Sequence, residues 1–360
     1  AKASGSMIRN AAIAGALALG GVAGYMYVYL PQFFRATKVR QPMPVSIQQD
    51  AAQLVRAQGR LIFLFMLEDH LPHSAIWSAF FSSAPAGSYD AVAHCANKEA
   101  CDRSPEMRRL GIQTVDTVPT KPCVDLVTPI YQMLRKATAL AGGADGPTQK
   151  FILVSDSTLP LKPLARIREI LLRSEASDMC PSPPNEWALS QIGGTRYYVV
   201  KHHRWVILSR RHADIFVANW AKLSQYSSFV TNGQYTLEQG DYKWYAPRMG
   251  ADGFANASDV VHRNDIQVLG RCPEEEVFTT MIFGLFENKM RSRWRSLFAT
   301  GKCRTYVNWK CADPPEVFTQ VTPLLRQLAL NTTEDGFLFA GRMDPTANFG
   351  DLTSLVTSRR

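Results

Sequence analysis

Three consecutive glutamates, Glu274, Glu275 and Glu276, follow Cys272-Pro273. Proline suits the first turn of a helix, and acidic side chains are stabilised at its positive end. A carboxylate there could take a proton from an attacking hydroxyl, and like-charged neighbours raise its pKa toward that use. The plainer reading is decoration of a helix start. A second polar cluster, Ser155-Asp156-Ser157, ends the apolar run KFILV at 150–154. Ligands of open α/β sheets bind beyond the carboxyl ends of the strands, which places this turn against a donor or an acceptor. The alternative is an Asx/Ser turn leading into the next helix. The chain contains no Asp-x-Asp, so the usual carboxylate grip on a divalent metal is absent from the sequence, and no metal site is expected.

A chain of 360 residues, 46% of them apolar, can bury the core of one large α/β domain or two smaller ones. The net charge of +9 favours anionic partners. Basic residues are scattered, however, and the one tight cluster, RSRWR at 291–295, reads as a solvated helix face. No nucleic-acid partner is expected. The seven cysteines show no Cys-x-x-Cys spacing that would suit structural zinc. The close pairs Cys95/Cys101 and Cys303/Cys311 read either as disulfides of an oxidising lumen or as reduced core thiols. Two sequons, Asn256-Ala-Ser and Asn331-Thr-Thr, fit a secretory lumen.

Residues 11–30 form an uncharged run long enough to cross a bilayer as a helix, with Tyr25, Tyr27, Tyr29, Phe33 and Phe34 at its far end. A membrane anchor is the expectation, against the alternative of a cleaved signal peptide. Basic residues flank both sides, so orientation stays open. Ala12, Ala16, Gly20 and Gly24 make a stripe of small side chains, either a face that packs on another protein's transmembrane helix or simple Ala/Gly-rich composition.

These residues need a scaffold, and the hydrophobic pattern outlines one. Residues 31–58 read as a stem ending in an amphipathic helix over 47–57. Leu61–Met66 is a wholly apolar strand suited to a sheet covered on both faces. HSAIWSAFF (73–81) follows as a helix with Trp77, Phe80 and Phe81 inward, and YDAVAHC (89–95) as a second strand. A helix over 124–140 leads to KFILVSD (150–156), expected as the central strand. TRYYVVKHHRWVILSR (195–210) alternates as a strand or hairpin feeding a helix at 212–223, and 224–270 reads as loops over the site. Pro273 opens another helix, the segment 317–330 closes the domain, and the tail from Ala347 is peripheral. Alternation of this kind signals a mostly parallel α/β sheet.

Four segments also carry a resemblance. KFILVSDSTLPLKPL (150–164), KHHRWVILSRRHADIFV (201–217), CPEEEVFTTMIFG (272–284), and TYVNWK (305–310) with FLFAGRMDP (337–345) occur in one order. That order resembles the core-2/I-branching β-1,6-N-acetylglucosaminyltransferases and their plant relatives, over about Leu61 to Asp344. The resemblance implies a GT-A-type domain at 59–346 and an inverting, metal-independent transfer without a cofactor. A UDP-sugar such as UDP-GlcNAc would be the donor and a glycan hydroxyl the acceptor. It implies Glu275 as the catalytic base and Arg342 as a diphosphate contact. His94, Ser155 and Asp156 would lie on the donor side, with Trp309 bordering the acceptor sugar. Several positions depart from the pattern. Ala96 stands where a nucleotide-binding carboxylate is expected, Leu126-Val127 and Cys311 replace aromatics, and a second phosphate-binding arginine has no match. Two functions therefore follow. One is an anchored glycosyltransferase, in the Golgi. The other is a catalytically silent accessory subunit of a plastid or mitochondrial membrane complex, held by the small-residue stripe.

Overall fold

The computed structural model describes residues 59–122, 125–143, 147–182, 188–192, 195–199, 201–225, 272–275, 277–279, 302–309 and 315–357, with dipeptide strands at 244–245, 248–249, 255–256 and 260–261. The expected anchor, its small-residue stripe and the stem fall outside these residues. Among the described residues, no helix is long and apolar enough to cross a membrane.

Apolar runs at Arg60–Leu67 (β1), Tyr89–Cys95 (β2) and Gln149–Ser155 (β4) form the middle of a five-stranded sheet. Gln113–Thr114 (β3) and Ile207–Ser209, here called β6, complete it in the order β3-β2-β1-β4-β6. Every pairing is parallel except that of β4 with β6. The mixed α/β fold with a mostly parallel sheet is thus present. The central strand, though, is β1 rather than the 150–156 segment, which lies one place toward the antiparallel edge. Both runs are apolar on both faces, so sequence pattern alone could not rank them.

Alternate residues of β1 feed two cores. Phe63 and Phe65 face one side, where Phe63 meets Trp77, Phe80 and Phe81 of α1 (Ser74–Ser82) with ring centroids 5.1–6.1 Å apart. Aromatic pairs at such separations gain about 0.5–1.5 kcal/mol beyond their area burial. Ile62 and Leu64 face the other side, against Ile130, Met133 and Leu134 of α2 (Val127–Ala141). Asp125 accepts from the backbone N–H of Val127 and Thr128, at 3.0 and 2.9 Å, and so starts that helix.

Beyond β4 the chain makes β5 (Leu159–Pro160) and α3 (Leu164–Leu171). β5 belongs to a second, three-stranded sheet, with β7 (Thr305–Tyr306) and β8 (Phe339–Ala340). The 195–210 segment divides: Thr195–Val199 pairs with Ala188–Ile192 as a hairpin, 201–206 is irregular, and β6 follows. Next comes α4 (Arg210–Gln225). Of the 224–270 stretch, only the four dipeptide strands and the end of α4 are described.

The 317–330 segment, expected to close the domain, carries α5 (Pro323–Leu330), capped by Thr322, whose hydroxyl accepts from Leu325 N–H at 3.2 Å. It does not end the domain. The final helix, α6 (Asp351–Thr357), packs against α1, and Phe349, Leu352 and Val356 are fully buried in the aromatic core. The tail from Ala347 is therefore structural. Leu352, Leu355 and Val356 do fall at helical spacing, but seven residues are too short a run to announce burial in the sequence.

Cysteine pairing also differs from the spacing-based expectation. Cys95–Cys101 is a disulfide, but Cys303 pairs with Cys180, not Cys311. Connectivity follows the fold, and 123 residues separate the second pair.

Candidate functional site

Strand order reverses between β1 and β4, since β2 and β3 lie to one side of β1 and β4 to the other. In open α/β sheets such a reversal leaves a crevice beyond the strand ends, where ligands bind. Register puts His94, Met66 and Ser155 in one row across β2, β1 and β4. A cavity of about 40 Å³ opens at this point, lined by Met66, Leu126, Ile130, Ser155, Arg204 and Glu274.

The turn after β4 is cross-stitched. Ser155 N–H donates to Thr158 Oγ1 at 3.1 Å, and the Ser155 hydroxyl lies 2.9 Å from Thr158 Oγ1 and 3.1 Å from Ser157 Oγ. Trp205 Nε1 donates to the same Thr158 hydroxyl at 3.0 Å, and Asp156 N–H reaches the Met66 carbonyl at 3.0 Å. Ser155 thus has the turn-forming role that its sequence allows, while also lining the cavity.

The irregular segment 201–206 crosses the mouth of the crevice. His202 N–H donates to the Glu275 carbonyl at 2.6 Å, His203 N–H to the Cys180 carbonyl at 2.9 Å, and Leu153 N–H to the Val206 carbonyl at 3.0 Å. These bonds fix Arg204, whose guanidinium lies 4.5 Å from the centroid of the Trp205 ring. Burial lowers the pKa of Arg204, the carboxylates of Glu274 and Glu275 oppose that shift, Arg342 adds a like charge and Asp156 another opposing one. Glu274, Glu275, Asp156 and Arg342 therefore all act on one guanidinium.

Glu275 sits in a short 3₁₀ turn, Pro273–Glu275, whose acids meet its N-terminus as the sequence indicates. The two glutamates differ in burial. Glu274 is 1% exposed and lines the cavity, whereas Glu275 is half-buried. The glutamate that lines the cavity beside Ser155 is Glu274, not the expected base Glu275.

Arg342 adopts a left-handed backbone, φ 64°, which costs a non-glycine residue about 1–2 kcal/mol. Neighbouring hydrogen bonds hold it there: Phe318 N–H to the Arg342 carbonyl and Met343 N–H to the Ser157 carbonyl, both 2.8 Å. Its Nη2 donates to the Pro315 carbonyl at 3.3 Å, while Nε is buried and has no hydrogen-bond partner among the described residues. Gly341 before it lies flat on Trp205, where a Cβ would come within 3.0 Å of the indole. This close approach lets Trp205 brace both the Ser155 turn and the Arg342 segment.

Trp309 is 38% exposed, and its ring lies 5.4 Å from that of His203, beside Arg204 in the chain. A partly open indole at the rim suits stacking on a sugar face. His94 is fully buried, Nε2 accepts from Val118 N–H at 3.0 Å, and burial lowers its pKa. It ties β2 to the 117–118 loop, while its Nδ1 is buried with no hydrogen-bond partner among the described residues. The alternation of YDAVAHC could not distinguish a strand-end ligand residue from a buried clasp.

The structure thus gathers Glu275, Asp156, Arg342 and Ser155, adds Trp309 through His203, and buries His94 in the same row of the sheet as Ser155. Sequence reasoning missed Arg204, Trp205 and the distinct position of Glu274. Within KHHRWVIL, Arg204 and Trp205 read as successive residues on opposite faces of an alternating strand, and only the irregular backbone of 201–206 redirects Arg204. His202 is fully buried beside Phe278, and burial lowers its pKa to about 4, so its ring is neutral. Among the described residues, no group of three or more His, Cys, Asp or Glu side chains is gathered to hold a metal ion. No family model matches the chain, and no curated protein matches it significantly.

Proposed function

We propose that the protein is a membrane-anchored, inverting, metal-independent glycosyltransferase of GT-A type. It would move a sugar from a nucleoside diphosphate, UDP-GlcNAc on the resemblance, to a glycan hydroxyl. The observation carrying this reading is the convergence of Arg204 and Arg342 with Glu275 and Asp156 at the reversal point between β1 and β4. A diphosphate leaving group needs cations or hydrogen-bond donors aimed where its charge grows. Arg342 has a buried Nε left over for that purpose, and Arg204 supplies the second arginine that the sequence pattern lacked. Guanidinium groups meet phosphate oxygens with paired, charge-assisted hydrogen bonds.

Glu275 takes the acceptor's hydroxyl proton as the oxygen attacks the anomeric carbon. The new C–O bond forms on the face opposite the departing diphosphate, which inverts the configuration. Glu274, more deeply buried, stays as the counter-charge that orients Arg204. Trp309 borders the acceptor.

Calorimetric titration of UDP into the protein, with and without chelator, tests this. Binding should survive EDTA and be lost in Arg342→Asn. Asparagine tolerates the left-handed backbone better than most residues, so this change removes the guanidinium without adding strain. A strict requirement for manganese would refute the metal-independent mechanism. The second reading, a catalytically silent complex subunit, draws on the small cavity at the crevice and on Ala96. Failure of UDP to bind at any concentration would favour it.

A further inference from the structure

We infer that Asn331 is a site of N-linked glycosylation, and this inference does not depend on the catalytic reading. Asn331-Thr332-Thr333 has the Asn-x-Thr acceptor pattern, which marks surface loops of secreted proteins. By itself such a pattern is weak, but two structural observations join it. The first is redox state. Cys95, Cys101, Cys180, Cys272 and Cys303 are all disulfide-bonded, as befits a protein folded in an oxidising lumen, where the glycosylating machinery also resides.

The second is presentation. Asn331 is the C-cap of α5, and its own N–H donates to the Gln327 carbonyl at 3.0 Å. Lys162 donates to the carbonyls of Leu328, Ala329 and Asn331, and Arg166 Nη2 donates to the Thr332 carbonyl at 2.8 Å. The backbone of the tripeptide is therefore pinned to the domain, while all three side chains are exposed. Asn331 Oδ1 accepts from Thr333 N–H at 2.9 Å, and no hydrogen bond of the described residues uses Nδ2. A glycan on Nδ2 would leave every one of these contacts in place. It would also stand beside Leu330, 60% exposed, on the outer side of the same helix end.

The reaction needs a co-reactant, a polyprenyl-diphosphate-linked oligosaccharide. The Asn331 amide nitrogen forms a bond to the sugar's anomeric carbon and gives up one proton. The bond from that carbon to the diphosphate oxygen breaks, and polyprenyl diphosphate leaves. Nothing is oxidised or reduced.

The test uses full-length protein purified from the cells that naturally make it. Tryptic cleavage after Arg326 and Arg342 isolates one peptide carrying Asn331. Treatment with peptide N-glycosidase in heavy-oxygen water should convert Asn331 to isotopically labelled aspartate, read by mass spectrometry. Thr333→Ala, which keeps the asparagine but removes the hydroxyl, should lose one glycan's mobility shift. Recovery of the peptide only as unmodified asparagine overturns the inference. So does a label at Asn331 that persists unchanged in the Thr333→Ala protein, since the pattern would then not govern the site.

Discussion

Two charged regions lie at opposite ends of the main sheet, and they treat their ions differently. Near the starts of β1 and β4 a cavity of about 300 Å³ is lined by Arg173, Asp178, Lys302, Arg304 and Glu334. There each cation has its own acid: Arg304 with Asp178, Arg173 with Glu334 and Glu169, and Lys302 with Asp335. Arg304 also donates to the backbone carbonyls of Glu334 and Gly336, and Cys303 beside it is clamped to Cys180. At the carboxyl ends of the strands the cavity is several times smaller, and one guanidinium, that of Arg204, feels three carboxylates of unequal burial and a second arginine. The larger cavity is the weaker functional candidate, because its ions are already matched to one another. Volume measures space, whereas a ligand is called for by donors that the protein itself leaves unmatched.

Glu275→Gln is the sharpest way to break this contrast. The substitution keeps the shape of the side chain and removes the base, so turnover should fall by about 10²–10⁴-fold with UDP affinity nearly unchanged. Activity assays alongside calorimetry would show it. An equal fall in UDP affinity would move Glu275 from proton transfer to structural support.

Asp178→Ala should produce the complementary result. Arg304 is 6% exposed and Asp178 11%, so losing the acid strands a buried guanidinium at a cost of about 3–5 kcal/mol. The urea midpoint should drop while UDP affinity, measured on folded protein, stays put. A loss of affinity without a loss of stability would make the matched end a binding site after all.

Acid should weaken the site end through His202. Its folded pKa is about 4 against 6.5 unfolded, so below pH 6.5 the unfolded chain takes up a proton that the folded one refuses. Stability is full above pH 6.5 and declines as pH falls toward 4, by on the order of 3 kcal/mol in all. His202→Phe should flatten that decline in urea melts. His212 is also lowered to about 4, chiefly by burial, and contributes in the same direction. The smallest effect belongs to Trp309→Ala. A side chain 38% exposed should alter stability by about 0.5 kcal/mol or less, while KM for the acceptor rises.

Much of the scaffold was legible because single segments carry their own signal. LIFLFM could only be a covered strand, and Trp77, Phe80 and Phe81 fall three or four apart as a helix face requires. The Ser155 turn was legible for the same reason, as a strand end followed by turn formers. What stayed hidden depends on distant partners. Arg204 takes its role from Glu274, Glu275, Asp156 and Arg342, which lie on three other segments of the chain. His94 reads in the sequence only as a strand-end residue, and the Val118 N–H that donates to its Nε2 comes from 24 residues further on. Cys303 has a near neighbour at Cys311 in sequence, but its disulfide partner is Cys180.

The burial of Leu352 and Val356 against α1 has a consequence in time. The ribosome makes Trp77 some 275 residues before it makes Leu352, a delay of roughly 15–55 s at typical rates of synthesis. Through that interval the cluster around Phe63 has no lid. The Cys95–Cys101 loop can close early, since only 6 residues separate its ends, but Cys180 must wait for Cys303. The nascent chain therefore waits with this aromatic cluster uncovered, the kind of transiently exposed apolar surface on which aggregation starts and chaperones act.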